Sequence, residues 1–426
     1  MTRAMKDSGI EWIGQIPENW KILKFKNIGT YINGYAFKPE DWTSEGKAII
    51  RIQDLTGSNN KPNYYDKQLD IKYNVSNGDF LISWAATLDA FIWNKEDAWL
   101  NQHIFKAIPN RIMHNKYFFW LIKEAMQNMN NDNKHGIMMQ HVTLNVFNNF
   151  LVPIPPISEQ QKIADYLDKR CEKIDTAIDN QKQIIEKLKE YKQSLITETV
   201  TKGLNPNVKL KDSGIEWIGS IPEHWAVRKL RYLFSCQNGI SKSGEYFGKG
   251  FPFVSYGDVY KNNIIPENVS QLCETNEEER ERYSVKKGDI FYTRTSETIE
   301  EIGLTSICYQ DIKDATFAGF LIRVRPTTQL LEIGFSKYYT SSNMHRRFFV
   351  KEMNLVTRAS LSQELLKRLP ILLPPIDEQQ KIAEYLDKKC NQIDVAIKQK
   401  EETISKLEEY KKSLIFECVT GKKEVA

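Results

Sequence analysis

The chain has 426 residues, 41% of them apolar and 27% charged, enough to bury cores and long enough for two to four domains of roughly 100–200 residues each. Fifty-nine basic residues against 55 acidic ones leave a formal charge of +4, a surplus too small to require or to exclude a polyanionic partner. No apolar run reaches the roughly 18 residues of a membrane-spanning helix, and residues 1–14 lack the apolar stretch of a secretory signal, so a cytoplasmic location is expected.

The chain opens on KDSGIEWIGQIPENW (residues 6–20). Beyond it, residues 47–53 (KAIIRIQ) and 79–84 (DFLISW) read as short strands bounded by turn formers, and residues 117–129 (YFFWLIKEAMQNM) as a buried helix. Pro155-Pro156 then stops regular structure, and Ser158 with Gln161 three residues on predicts a capping box. Apolar or small residues follow at spacings of three and four: Ala164, Leu167, Cys171, Ile174, Ile178, Ile185, Leu188 and Leu195. This is a heptad stripe, interrupted by Gln181 and ended by Gly203. The helix it predicts, about 41 residues over 159–199, has a length of roughly 60 Å at 1.5 Å per residue.

At residues 211–225 the opening motif returns as KDSGIEWIGSIPEHW, with 13 of 15 positions identical. Residues 251–256, 289–293 and 320–325 read as strands and residues 333–342 as a helix, the same plan as before with different residues. Residues 374–420 then repeat 155–201 with about 30 identities in 47 positions. Asp377 and Gln380 take the predicted capping roles, and the stripe runs through Ala383, Leu386, Cys390, Ile393, Ile397, Ile404, Leu407 and Leu414. Lys400 falls at the interruption, and Gly421 at the end.

Each half is thus a shared opening, a private variable region and a shared long helix. The expected fold class is α+β, a pseudo-twofold repeat with two domains of similar fold and different surface. Two equivalent stripes in one chain favour an intramolecular coiled coil over two helices lying on separate bodies. The first helix ends where the second variable region begins, and the ends of a compact domain lie close together. The second helix therefore runs back antiparallel. That pairing puts Cys171 and Cys390 about 24 Å apart, too far for a disulfide, and both read as small apolar seam residues. With no CxxC pair and no histidine at zinc-ligand spacing, a structural metal is not expected.

The doubled SGIEWIGxIPExW and PPIxEQQKIAxYLDK motifs resemble those of the specificity subunit of type I restriction-modification systems, over the whole length. The resemblance implies two target-recognition domains, each reading one half of a bipartite DNA site, separated by the coiled coil. It assigns residues 1–152 and 204–370 to recognition, and 153–203 and 371–426 to spacer helices that dock two methylation subunits. It implies further restriction and translocation subunits. S-adenosylmethionine, ATP and magnesium would be held by the partners, and no cofactor by this chain.

Sequence readers combine Arg, Lys, Asn, Gln and Ser/Thr donors on loops with aromatic rings. In the first variable region the loops of that kind offer Tyr35, Lys38, Trp84, Thr87, Asn101, Gln102, Lys134, Gln140 and His141. In the second they offer Ser241, Lys242, Tyr246, Arg294, Ser296, Thr357, Arg358 and Ser360. The last loop of each set, just upstream of a long helix, is the better candidate in each.

A catalytic reading finds little support. An amino-methyltransferase needs Asn/Asp-Pro-Pro-aromatic to hold a flipped base, and the nearest strings, Asn205-Pro206-Asn207 and Leu373-Pro374-Pro375-Ile376, fail that pattern. Gly248-Lys249-Gly250 stands without the rest of a nucleotide loop, and no GxxxxGK[S/T] occurs. Glu45-Gly46-Lys47 with Asp41 resembles part of a nuclease site at too short a spacing and reads better as a charged turn. The remaining alternative is a coiled-coil adaptor that binds proteins and never meets DNA.

Overall fold

The computed structural model describes residues 3–57, 61–85, 87–132, 142–296, 302–352 and 359–425. It divides into two compact units, Met1–Gln181 with Glu402–Ala426, and Lys182–Glu401. Each unit contains one variable region and one half of each long helix. Lys134, Gln140, His141, Thr357 and Arg358 fall outside the described residues.

In unit one the opening motif folds as a hairpin of β1 (Met5–Asp7) and β2 (Gln15–Pro17). Asp7 and Ser8 accept the backbone N–H groups of Gly9 and Ile10, and Gly14 at φ +65° closes the loop with a conformation that costs other residues strain. After β3 (Lys21–Lys24) and β4 (Gly29–Asn33) come β5 (Lys47–Ile50), α1 (Ile52–Thr56), β6 (Asn63–Tyr65), β7 (Asn74–Val75), β8 (Phe80–Ser83), β9 (Asp89–Ile92), β10 (Ala98–Leu100) and β11 (Ile104–Pro109). The central antiparallel sheet has the order β4-β11-β8-β9. A second sheet, β6-β5-β10-β7, is mixed, with β5 and β10 parallel. Helix α2 (Asn115–Asp132) packs on β9, where Lys123 holds Asp89 at 2.8 Å. The region closes with α3 (Leu144–Asn149) and β12 (Leu151–Ile154), and β12 pairs back onto β3.

Helix α4 (Ile157–Lys202) starts directly after the prolines. The expected Ser158 cap does not form: the N–H groups of Glu159 and Gln160 both donate to the Pro156 carbonyl, and Gln161 turns to Asp165 instead. The first-turn carboxylate has another use. Glu159 accepts the Trp20 indole N–H at 3.0 Å and pairs with Arg3 at 2.5 Å, locking the opening motif to the helix start. Gln160, only 1% exposed, receives the His114 N–H and donates to the carbonyls of Ile112 and Pro155. The core is continuous from the sheet into the helices. Phe105, Tyr117, Phe118 and Phe147 share it with Ile163, Leu167, Cys171, Ile174 and Ile178 of α4, and with Leu414, Ile415, Cys418 and Val419 of α10 (Ile376–Val419).

Unit two repeats the plan. β13 (Leu210–Asp212) and β14 (Ser220–Pro222) form the opening hairpin, with Asp212 and Ser213 repeating the turn bonds to Gly214 and Ile215. There follow β15 (Ala226–Lys229), β16 (Phe234–Asn238), β17 (Phe247–Val254), α5 (Tyr256–Lys261), β18 (Leu272–Cys273), α6 (Glu277–Arg282), β19 (Ile290–Thr293), β20 (Thr295–Ser296), β21 (Thr305–Ile307), β22 (Thr316–Phe317) and β23 (Leu321–Pro326). Then come α7 (Ile333–Ser341), α8 (Asn343–Glu352), β24 (Ala359–Ser360), α9 (Gln363–Lys367) and β25 (Pro370–Leu373). The central antiparallel sheet is β16-β23-β19-β21, and β25 pairs onto β15 as β12 does onto β3. Asp377 does not cap α10, for the reason that Ser158 does not cap α4: the Pro375 carbonyl takes the first N–H groups. Glu378 accepts the Trp225 indole N–H at 3.0 Å, and Gln379 repeats the bonds of Gln160.

The helices pair antiparallel in each unit. In unit one Lys411 of α10 reaches Asp175 of α4 at 2.6 Å; in unit two Lys192 of α4 reaches Asp394 of α10 at 2.7 Å. These are equivalent residues in the sequence repeat, and in both cases the late part of one helix meets the early part of the other. Such partly exposed pairs contribute at most about 1 kcal/mol each, whereas each fully buried Leu or Ile gains about 1.5–3 kcal/mol. The stripe therefore stabilises the pair, and the charges bias its direction. Leu188 and Leu195 are only half-buried, while Ile196 and Val200 are buried, because near its end α4 rests on the body of unit two as well as on α10. Gly203 and Gly421 end the helices at φ +76° and +73°, as expected. Cys171 and Cys390 are buried free thiols, one in each unit.

Candidate nucleic-acid interface

Three strand ends of the central sheet in unit one carry the loops singled out from the sequence. Ile104 at the start of β11 pairs with Ser83 at the end of β8, and Phe105 with Asn33 at the end of β4. Loops 34–38, 84–87 and 101–103 therefore leave one edge together. Backbone hydrogen bonds tie them: Gly34 N–H to Ile104 O, Tyr35 N–H to Leu100 O, Gln102 N–H to Tyr35 O, and Trp84 N–H to His103 O. The Val142 N–H donates to Trp84 O and brings the chain leading into α3 to the same edge.

Unit two builds the same frame bond for bond. Gly239 donates to Leu321 O, Ile240 to Phe317 O, Gly319 to Ile240 O, and Arg294 to Phe320 O. The Leu361 N–H donates to Arg294 O, the counterpart of the Val142 bond. Both frames need glycine at the first position. A Cβ on Gly34 would overlap the Asn101 carbonyl, and one on Gly239 the Ala318 carbonyl. The frame equates Tyr35 with Ile240, Trp84 with Arg294, Asn101 with Ala318, and His103 with Phe320. Identical backbone scaffolding thus presents unlike side chains.

Within unit one, Tyr35 is half-buried against Phe37 and Tyr73. Trp84 stacks on Phe105 with centroids 5.7 Å apart and lies 5.4 Å from the His103 ring. The side-chain oxygen of Asn101 accepts the His103 N–H at 3.3 Å, which fixes that loop. Gln102 is half-buried, Thr87 is exposed, and Lys38 extends into solvent 3.8 Å from Glu40. Gly34→Val is expected to separate loops 34–38 and 101–103. Mapping of methylated bases should then show degeneracy in one half of the recognised sequence with the other half intact.

Within unit two, Arg294 directly follows β19, an interior strand of the sheet. Among the described residues no carboxylate pairs with its guanidinium. Ser241 and Tyr246 are both exposed. Thr295 pairs with Ser360 and Ser296 with Ala359, so β20 and β24 extend the edge. Lys242 is held differently from a surface donor. Its ammonium contacts Glu279 at 2.7 Å and the Glu274 carbonyl at 2.8 Å, which bends it inward and holds the Glu279 carboxyl below its ordinary range. Phe320 was not among the expected site residues, yet it is 64% exposed and its carbonyl accepts the Arg294 N–H. Its sequence signal was slight: a large apolar residue between Gly319 and the start of β23.

The other motifs resolve into structural roles. Lys47 donates to Asn74 and sits 4.2 Å over the Trp99 ring, and the Asp41 carboxylate accepts the Lys38 N–H. Lys249 pairs with Glu274 in an irregular stretch of β17, and Asn205 closes a turn on Asn207. Among the described residues no group of three or more His, Cys, Asp or Glu side chains is placed to hold a metal, and no helix is long and apolar enough to cross a membrane.

A family model described as type I restriction modification DNA specificity domain matches residues 17–190 and again 222–406. The specificity subunit of the type I restriction enzyme EcoBI of Escherichia coli is 24% identical over 99% of this chain and 90% of its own. The MjaVIII specificity subunit of Methanocaldococcus jannaschii is 24% identical over 96% of this chain and 94% of its own. Among solved structures, a chain from a study of complex assembly and conformational transition of the type I R-M system superposes with a TM-score of 0.72 at 16% identity, covering 96% of this chain and 99% of that one. The HsdS subunit from Thermoanaerobacter tengcongensis gives 0.52 at 17% identity, over 98% and 100%.

Proposed function

The chain belongs to the family of type I restriction modification DNA specificity domains, and we propose from that premise that it is the sequence-reading subunit of a type I restriction-modification complex. Residues 1–152 and 204–370 each read one half of a bipartite duplex target. Helices 153–203 and 371–426 set the gap between the halves and dock two methylation subunits. Recognition is this chain's contribution; catalysis comes from partners that carry S-adenosylmethionine, ATP and magnesium, together with restriction subunits, in the cytoplasm.

The observation that supports this reading is the pair of edges with one backbone frame and unlike side chains. A scaffold kept constant under different donors and rings suits two readers of different sequences, since phosphate contacts position a protein and base edges specify it. Each reader covers only a few base pairs, and tethering multiplies two modest specificities. The base contacts we assign to Tyr35, Lys38, Trp84, Thr87, Asn101, Gln102, Ser241, Tyr246, Arg294, Ser296 and Ser360 rest on this edge. Lys242 is better assigned to holding its loop in place.

The test is binding by the chain assembled with its methylation subunits to a duplex carrying the methylated sequence mapped in host DNA. Affinity should fall steeply with ionic strength, as phosphate contacts demand, and each mismatched base pair in either half should cost about 1–3 kcal/mol. Binding indifferent to both salt and sequence would leave the protein-binding adaptor as the reading.

A further inference from the structure

Unit two differs from unit one at two positions that the shared frame links through the backbone. Unit one places Trp84 beside His103, with ring centroids 5.4 Å apart. In unit two the same positions hold Arg294 and Phe320, joined by the Arg294 N–H to the Phe320 carbonyl, and Phe320 is 64% exposed. The Arg294 N–H and C=O are both committed, to Phe320 O and to the Leu361 N–H, so the residue is held in strand-like register whatever its side chain does. It directly follows β19, an interior strand of the sheet. Two other cations near the sheet are closed by acids, Lys242 by Glu279 and Arg325 by Asp289, whereas among the described residues no acid closes Arg294. A planar five-donor fork matches the O6 and N7 acceptors that only guanine presents side by side in the major groove. Phe320, joined to Arg294 through its carbonyl, leaves apolar surface exposed, and a guanidinium plane packs on such surface.

We propose that Arg294 reads a guanine in the half-site of unit two by a bidentate contact in the major groove, with Phe320 packing beside it. The equivalent pair Trp84 and His103 carries no guanidinium, so the guanine requirement belongs to one half of the target. The inference rests on the sequence-reading function proposed above and names the base it reads.

The probe is the mapped duplex with 7-deazaguanine replacing each guanine in turn, which removes N7 and leaves Watson–Crick pairing intact. For the wild-type complex, one replacement in the half-site of unit two should lower affinity about 5- to 150-fold, the range of a bidentate pair. Arg294→Ala should lose a similar factor on the unmodified duplex and then be indifferent to that replacement. Arg294→Lys keeps the charge but loses the planar fork, and should bind the unmodified duplex more weakly than the wild type while losing less than Arg294→Ala. Unchanged mismatch penalties in the other half-site would show that both variants are folded. Three results would overturn the inference: no guanine in that half-site, losses from Arg294→Ala and from the replacement that multiply, or equal weakening on target and scrambled duplex. A folded wild-type complex that binds target and scrambled duplexes alike would instead remove the recognition reading beneath it.

Discussion

Replacing residues 226–370 with the corresponding region of another family member is expected to change one half of the methylated sequence and leave the other half as it was. The structure makes the cut sites favourable. The region begins in β15 and ends at β25, strands paired with Ala226 opposite Leu373 and Lys229 opposite Pro370. The two ends of the insert are therefore zipped together before either reaches a long helix. The equivalent pairing of β3 with β12 closes the first region in the same way. What the exchange must preserve is the contact with the helices, because Ile382, Leu386 and Cys390 of α10 and Ile196 and Val200 of α4 share a core with Phe335, Tyr339, Leu366 and Ile371. The buried Tyr339 hydroxyl donates to Pro370 O and accepts the Leu372 N–H, so the incoming region needs a tyrosine there. With about 1–3 kcal/mol at stake per mismatched pair, the original half-site should be read no better than random duplex. Single-base methylation mapping gives the result directly, and a change in both halves would contradict separate reading.

The doubling was legible because it is written in residue identity, and the antiparallel helices followed from chain connectivity and the apolar stripe. Strands at 80–83 and 290–293 and the helices at 115–132 and 333–341 fell where apolar patterning placed them. The helix starts were misread for a definite reason. Ser158 with Gln161 satisfies the local grammar of a cap, but the residue that acts there is Glu159, whose partner Trp20 lies 139 positions away. No periodicity reports such a link. The reading edge was hidden in a similar way. Its frame consists of backbone bonds between segments remote in sequence, which leave no side-chain signature beyond Gly34 and Gly239. Lys242 has the look of a loop donor, yet its acid is 37 residues downstream at Glu279. Phe320 reads as the first residue of a strand, yet it is the exposed residue before β23 begins. Local chemistry finds the loops; long-range packing decides which side chains they leave free.

Asp289→Asn is expected to weaken unit two more than any other conservative substitution at its sheet. Asp289 is fully buried and accepts both the Nε–H and a terminal N–H of Arg325 at 2.6 Å, while its second oxygen also takes the Lys286 N–H at 2.8 Å. Arg325 in turn donates to the Ser284 carbonyl at 2.8 Å. Close by, Arg323 is 6% exposed, and burial together with the charge of Arg325 pulls its guanidinium down to about 10. Neutralising Asp289 leaves two neighbouring cations with no anion between them. Breaking a buried pair from one side costs about 3–5 kcal/mol, a large share of the 5–15 kcal/mol that holds a domain folded. The position sharpens the consequence. Asp289 precedes β19 and Arg325 lies near the end of β23, so the pair clamps the two strands at the end opposite Thr293 and Leu321, where the reading edge begins. Loosening that clamp should lower the urea midpoint and blur the reading of one half-site before unfolding is complete. Adding Arg325→Met to Asp289→Asn removes the stranded cation and should recover part of the loss, because removing both charges spares the cost of one left unpaired. A single variant that unfolds at the wild-type urea concentration would show that the pair contributes nothing, and a double variant weaker than the single would place the stabilisation in the contacts of Arg325 with Ser284.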